Sequence, residues 1–213
     1  MQTDAPSLSV AVVQRALESF GISVTAGQVA QIQQYTKKLM AWNEKLNLTA
    51  IRDPLEILYR HFCECMFGGL YLAPTDGRLA DVGSGGGFPG LPLKILRPDL
   101  QVFLIESSFK KATFLAEVVR ELELENTRVV VSRYEELGEE VAPLDLACSR
   151  ALGGFREFLN WSASAAVGCP KVMLWVGGRD IEEIQKNVGW NWDEPIAIPN
   201  SLRRYLLIGR RSH

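Results

Sequence analysis

Cysteine is scarce in this chain and poorly spaced for metal or disulfide chemistry. Cys63, Cys65, Cys148 and Cys169 form neither a CxxC pair nor the spacing of a zinc site. They read as thiols packed like small apolar side chains, and no metal ligand set is expected. No apolar run approaches the roughly 20 residues that a membrane-spanning helix needs. Met1 to Ser7 show neither the basic start nor the apolar stretch of a secretory signal, so a cytoplasmic chain with no membrane partner is the expectation. Excess positive charge is missing too: 23 Lys and Arg face 25 Asp and Glu, for a formal net charge of −2 and a pI near 5.8. That removes the simple electrostatic case for binding nucleic acid, and an RNA partner would need a local basic face. There is no internal repeat and no low-complexity segment. A content of 47% hydrophobic and 23% charged residues belongs to a chain folded throughout, and 213 residues suit one domain with an appendage.

The hydrophobic period divides the chain. Over residues 7–72 it is helical. Val10, Val13, Leu17 and Phe20 share one face of a first helix that stops at Gly21. After Thr25, the residues Val29, Ile32, Tyr35, Leu39 and Met40 mark a second, and Asp53-Pro54-Leu55-Glu56 supplies an N-cap, a first-turn proline and a capping-box glutamate for a third that runs to about Tyr71. From Arg78 onward, short apolar runs at 78–82, 101–106, 127–131, 143–148, 170–176, 192–198 and 203–209 read as strands. Amphipathic stretches near 90–97, 109–122, 154–166 and 179–188 lie between them. This alternation predicts a doubly wound α/β fold of Rossmann-like type, mostly parallel, with an antiparallel pair at the sheet edge because the last two strands have no helix between them. The expected organisation is a single domain over 1–213, with a helical extension over 1–75 and a cofactor-binding α/β core over 76–213.

The most informative segment is Leu79-Ala80-Asp81-Val82-Gly83-Ser84-Gly85-Gly86-Gly87-Phe88-Pro89-Gly90, a strand running into a glycine loop and a helix. Glycine permits positive φ and leaves no Cβ between backbone and ligand, so the loop is a cradle for a nucleotide-like molecule. Gly85, Gly87 and Gly90 fit GxGxxG, which keeps a nicotinamide-dependent oxidoreductase open. The spacing Asp81-x-Gly83-x-Gly85-x-Gly87 fits better a cofactor with an ammonium and a sulfonium, because the carboxylate would attract those groups and repel a pyrophosphate. Glu106 closes the next strand, where a carboxylate can accept hydrogen bonds from ribose hydroxyls of either cofactor.

Several segments together give a more specific pattern: Trp42-Asn43-Glu44-Lys45-Leu46-Asn47-Leu48-Thr49-Ala50-Ile51-Arg52-Asp53, Arg60-His61-Phe62, Asp81 to Gly90, and Ser149-Arg150-Ala151. From about Tyr35 to its end, the chain resembles the RsmG (GidB) family, bacterial methyltransferases that modify guanine N7 in a loop of 16S ribosomal RNA. The resemblance implies S-adenosyl-L-methionine as cofactor, with 16S ribosomal RNA or the small-subunit particle as partner. It implies a cofactor site at Asp81, Gly83, Ser84, Gly85, Gly87, Phe88, Glu106, Tyr134, Glu135 and Arg150, with Arg150 also catalytic. Two departures stand out. Cys63-Glu64-Cys65-Met66 replaces a Leu-Asp-Ser-Leu-like continuation, and Val176-Gly177 replaces a lysine-glycine pair, for which Arg179 is the nearest basic substitute. A non-catalytic ribosome-assembly factor is the third reading left open by that missing lysine.

Guanine N7 carries a free lone pair, so methylation there needs no general base, and no catalytic dyad is expected. Candidates for gripping RNA are Lys37, Lys38, Lys45, Lys110, Lys111, Arg128, Arg133, Arg156, Arg203, Arg204, Arg210 and Arg211. His61 reads either as a base-positioning residue or as a core histidine.

Overall fold

The structure is a computed structural model that describes residues 8–150 and 153–212. The readings of Met1–Ser7 and of Ala151 fall outside those residues. The predicted strands at 78–82, 101–106 and 127–131 appear as β1 (Arg78–Val82), β2 (Gln101–Ile105) and β3 (Thr127–Val130), followed by β4 (Leu146–Ser149) and β5 (Lys171–Gly177). The fourth begins later than predicted. Pro143 has no N–H to give a ladder, and the Asp145 carboxylate instead accepts the Gly77 and Arg78 N–H groups at the start of β1, at 3.0 and 2.7 Å. The run at 192–198 is two strands, β6 (Trp190–Trp192) and β7 (Ile196–Ala197), because Pro195 interrupts the pairing. Both pair antiparallel with β8 (Arg204–Arg211), which is itself antiparallel to β5.

The sheet order is β3-β2-β1-β4-β5-β8-β6, and β1 to β5 are mutually parallel. β1 therefore has β2 on one side and β4 on the other. The strand order reverses there, which is where open α/β sheets bind ligands beyond their strand ends.

Side chains alternate across the sheet. Leu79, Val102, Leu104, Cys148, Met173, Trp175 and Leu206 face one apolar layer, while Ala80, Val82, Phe103, Ala147, Leu174, Val176 and Leu207 face the other. The first layer is covered by α1 (Val10–Glu18), α2 (Ala26–Asn43), α3 (Pro54–Ile57), α4 (Glu64–Gly68), α5 (Gly90–Leu96) and α6 (Phe109–Glu121). The second is covered by α7 (Phe155–Ala163) and α8 (Ile181–Gln185), the latter shorter than the predicted 179–188. Thr25 and Gln28 form a reciprocal capping box on α2, and the Asp53 carboxylate accepts the Glu56 N–H at 2.8 Å on α3.

The predicted third helix is continuous but not uniform. Between α3 and α4, residues Leu58–Cys63 form a π turn, with the Glu64 N–H donating to the Tyr59 carbonyl five residues back. Such turns displace side chains from regular helical spacing and cluster at functional sites. Arg60 and His61 lie on it.

Candidate active site

The segment after β1 folds as a tight turn. Gly83, Gly85 and Gly87 have φ of +72°, +56° and +88°, a region that side chains with a Cβ avoid. The Gly83 and Ser84 N–H groups both donate to the Ile105 carbonyl at the end of β2, and the Ser84 hydroxyl donates to the Asp81 carbonyl. Ser84 thus closes the turn from inside. Gly83 is exposed and Gly85 half-buried, whereas Gly86 to Gly90 are buried, so the bare backbone facing outward is that of Gly83 to Gly85.

Two carboxylates flank the turn. Glu106 accepts the Gly85 N–H at 2.9 Å with one oxygen and the Ser108 N–H at 2.7 Å with the other. Each oxygen keeps a lone pair for a further donor. Asp81 is fully buried. Its Oδ2 accepts the Gly90 N–H, the first of α5, at 3.0 Å, and its Oδ1 has no hydrogen-bond partner among the described residues. Burial pushes the Asp81 carboxyl up to about 7, against the opposing pull of the Gly90 N–H.

The helical extension reaches the turn directly. Phe88 is stacked between Tyr35 of α2, with centroids 5.4 Å apart and planes 4° apart, and His61, at 4.5 Å and 22°. Phe62 stands edge-on to Tyr35 and Phe88 at 5.1 and 5.6 Å. The Tyr35 hydroxyl donates to the Gly86 carbonyl. The Phe88 side chain therefore anchors the turn, and its N–H donates to the Ser84 carbonyl at 3.2 Å.

Arg150 follows β4, held beside the turn because the Ser149 hydroxyl donates to the Val82 carbonyl at 2.8 Å. Its Nη1 lies 2.9 Å from His61 Nδ1 and 3.4 Å from Cys65 Sγ, and its Nη2 is 3.8 Å from Glu64 Oε2. An arginine can only donate, so His61 Nδ1 accepts and the ring proton is on Nε2, which donates to Thr49 Oγ1 at 2.7 Å. Burial lowers the His61 pKa to about 3, with the Arg150 and Arg60 charges adding to the effect, and the imidazole is neutral at pH 7. Thr49 is placed by Asn43, whose side chain accepts the Leu48 and Thr49 N–H groups and donates to the Thr49 carbonyl. The Trp42–Asp53 segment thus builds a support for His61.

Tyr134 and Glu135 lie in a short 3-10 turn after β3, on the same rim. Tyr134 packs edge-on to Trp161 at 5.5 Å, and burial together with the Glu135 carboxylate pushes its hydroxyl up to about 12.

Sequence reading did not assign a role to Glu64. This carboxylate, with its side chain 3% exposed, takes a two-point contact from Arg204 at 2.9 and 2.5 Å and lies 3.4 Å from Arg60. A charged residue inside the apolar run Cys63 to Phe67 was the available signal. Val176 is buried in the layer under α7, and Arg179 is exposed. Several RNA-grip candidates are already paired: Lys38 with Glu117 and Glu121, Arg156 with Glu157, and Arg210 with Asp193.

Among the described residues no group of three or more His, Cys, Asp or Glu could hold a metal ion, and no helix is long and apolar enough to cross a membrane.

The chain is similar to known proteins. A ribosomal RNA small subunit methyltransferase G of Xanthomonas euvesicatoria pv. vesicatoria is 45% identical over 211 residues, 97% of each chain. One of Roseiflexus castenholzii is 45% identical over 126 residues, which cover 59% of this chain and 54% of that protein. The structure of a SAM-dependent methyltransferase from Aquifex aeolicus shares the fold at a TM-score of 0.59 and 14% identity, covering 83% of this chain and 98% of that one. Residues 28–189 match the GidB family, described as rRNA small subunit methyltransferase G, and the chain belongs to that family.

Proposed function

We propose that the protein transfers a methyl group from S-adenosyl-L-methionine to guanine N7 of 16S ribosomal RNA, presented as free RNA or in the small-subunit particle. The observation that carries this reading is the meeting of the Gly83–Gly85 backbone, Glu106 and Arg150 at the point where the strand order reverses.

The residues fit the cofactor. Gly83 and Gly85 offer backbone unobstructed by Cβ, Glu106 retains acceptor capacity for ribose hydroxyls, and Asp81 Oδ1 is an unused acceptor under the turn. Tyr134 and Glu135 occupy the rim beside β3 where the adenine end would rest. The same geometry disfavours the nicotinamide alternative. A pyrophosphate needs the free N–H groups at the helix start, and Asp81 occupies the first of them with a carboxylate.

S-adenosyl-L-methionine, when bound, supplies an electrophilic methyl group on a sulfonium. The protein's own task is alignment and exclusion of water. Orientation of this kind contributes about 7–11 kcal/mol to such reactions. Guanine N7 arrives with its lone pair free, so no residue has to remove a proton. Arg150, fixed by neutral His61, directs charge-assisted hydrogen bonds to the guanine, its phosphate or the cofactor carboxylate.

The test is calorimetric titration with S-adenosylmethionine, S-adenosylhomocysteine and NADH, followed by methylation of small-subunit RNA by the native protein and by Arg150→Ala. Saturable binding of the first two, methylated guanine in the product, and loss of turnover in a folded Arg150→Ala variant are expected. Binding of NADH alone, or bound cofactor with no methylated product, refutes the assignment.

A further inference from the structure

Three arginines from distant parts of the chain meet one buried carboxylate. Arg60 lies on the π turn, Arg150 follows β4 and Arg204 opens β8, and their guanidinium nitrogens lie 3.4, 3.8 and 2.5 Å from Glu64. Arginine stays protonated in proteins, so the cluster carries more positive charge than Glu64 neutralises. The additional carboxylate near Arg60 is Glu56, at 3.6 Å with its side chain 49% exposed, which leaves it well screened by water.

Exposure is graded along the cluster. The side chains of Arg150, Arg204 and Arg60 are 16%, 28% and 37% exposed, so it extends from the strand rim beside the glycine turn to the surface. Donors remain unused. Arg60 turns its buried Nε toward Glu64 and makes no hydrogen bond through Nη1 or Nη2 among the described residues, and Arg204 contacts Glu64 through Nε and Nη2, with no hydrogen bond from Nη1. A buried ion-pair cluster serving stability alone would balance its charge, because each uncompensated ion costs desolvation energy. This one instead holds guanidiniums in fixed positions with positive charge to spare.

We infer that Glu64 organises Arg60, Arg150 and Arg204 into a site for a phosphodiester of the RNA strand, next to the transfer site. The inference rests on the proposed function for the identity of the polyanion. Planar guanidiniums match phosphate oxygens in pairs, and an arginine already fixed by a carboxylate loses less rotamer freedom on contact than a free surface lysine does. Glu64 is a positioning residue in this scheme. It repels phosphate through its charge, yet helps binding by holding the donors. Cys65 Sγ, 3.4 Å from Arg150 Nη1, gives that arginine a soft acceptor beside the carboxylate.

The test uses the full chain saturated with S-adenosylhomocysteine and a labelled hairpin of small-subunit RNA, titrated across a range of salt concentrations. Arg60→Gln and Arg204→Gln should each weaken RNA binding by about fivefold or more and lower the salt slope by about 0.7–1. Arg60→Lys should recover part of both, and the affinity for S-adenosylhomocysteine should stay within about twofold of the native value, since phosphate contacts add to RNA affinity alone. Glu64→Gln adds one positive charge, so net electrostatics predicts tighter RNA binding, whereas the organising role predicts weaker binding. If Arg204→Gln or Glu64→Gln fails to fold, Arg60→Gln decides, because Arg60 is the most exposed of the three. Unchanged RNA affinity and salt slope would overturn the inference, as would weakened cofactor binding with RNA binding intact, which assigns the cluster to the cofactor's carboxylate. A native protein that binds no S-adenosylhomocysteine overturns the proposed function instead, so the two failures are distinct.

Discussion

Adding one methyl group at either of two glycines should damage the protein in opposite ways. At Gly87 an alanine Cβ would lie 2.5 Å from Leu91 Cδ1 and closer still to the Tyr35 hydroxyl, with φ at +88°. Backbone strain there costs about 1–3 kcal/mol. Forcing Leu91 and Tyr35 aside costs about 1–3 kcal/mol more. Gly87→Ala should therefore lose about 2–6 kcal/mol of stability, a large part of what holds a domain of this size. At Gly85 the nearest atom to a new Cβ is the Gly83 carbonyl oxygen, 3.7 Å away, and φ is +56°. Gly85→Ala carries only the left-handed backbone penalty, about 1–2 kcal/mol, but puts a methyl group where the cofactor would lie. Urea unfolding should thus rank Gly87→Ala far below Gly85→Ala, and titration with S-adenosylmethionine should show Gly85→Ala folded but weakened in binding. Tyr35→Phe removes the closest clashing atom, so the double variant Tyr35→Phe with Gly87→Ala should be more stable than additivity allows, by about 1 kcal/mol. Equal stabilities of the two alanine variants, or strict additivity with Tyr35→Phe, would refute this account of the turn.

Glu106→Ala should weaken S-adenosylmethionine binding by about tenfold to several hundredfold, because hydrogen bonds to a charged acceptor are worth about 1.5–3 kcal/mol each; calorimetry reads it directly. The folded pKa of His61 is depressed from 6.5 to about 3, so below pH 6.5 the unfolded chain binds the extra proton and stability falls as pH falls. The expected loss is about 1.4 kcal/mol by pH 5.5, growing until pH nears 3. Asp81, raised from 3.8 to about 7, acts with the opposite sign, adding stability as pH falls through 7. The difference between the native protein and His61→Gln isolates the histidine, and a difference that does not change between pH 7 and 5.5 counts against its neutral, buried state.

The sheet was legible because each parallel strand buries both faces and reads as an apolar run, as in Leu79–Val82 and Val102–Ile105. Strand ends depended on details the pattern does not carry, such as Pro195 splitting the run at 192–198. The π turn at Leu58–Cys63 was invisible because its apolar spacing over a few residues matches an α-helix. The glycine turn and Glu106 were visible as local spacing. The contact of Arg150 with His61 was not, since the two are 89 residues apart and meet only through the packing of α3 and α4 against the strand ends. Glu64 reads in sequence only as a charge inside an apolar run, because its partner Arg204 lies 140 residues away along the chain. Local motifs mark where a ligand can rest, while the side chains that aim at it depend on tertiary contacts.

The N-terminal helices bear on whether residues 76–213 can act alone. Val13, Leu17, Ile32, Tyr35, Leu39, Phe62 and Met66 are all fully or almost fully buried in the layer that covers Leu104, Met173, Trp175 and Leu206. Burying each such side chain is worth about 1.5–3 kcal/mol. Removing all seven partners costs more than about 10 kcal/mol, comparable to the whole stability of a domain at about 5–15 kcal/mol. The same helices supply Tyr35, His61 and Phe62 around Phe88, and Glu64 beneath Arg150 and Arg204. A fragment starting at residue 76 should therefore show no cooperative thermal unfolding and should bind a hydrophobic dye. Adding residues 1–75 as a separate chain should restore a cooperative transition together with cofactor binding. A fragment that unfolds cooperatively by itself and binds S-adenosylmethionine would show the glycine turn to be self-supporting, and would leave the extension to the RNA alone.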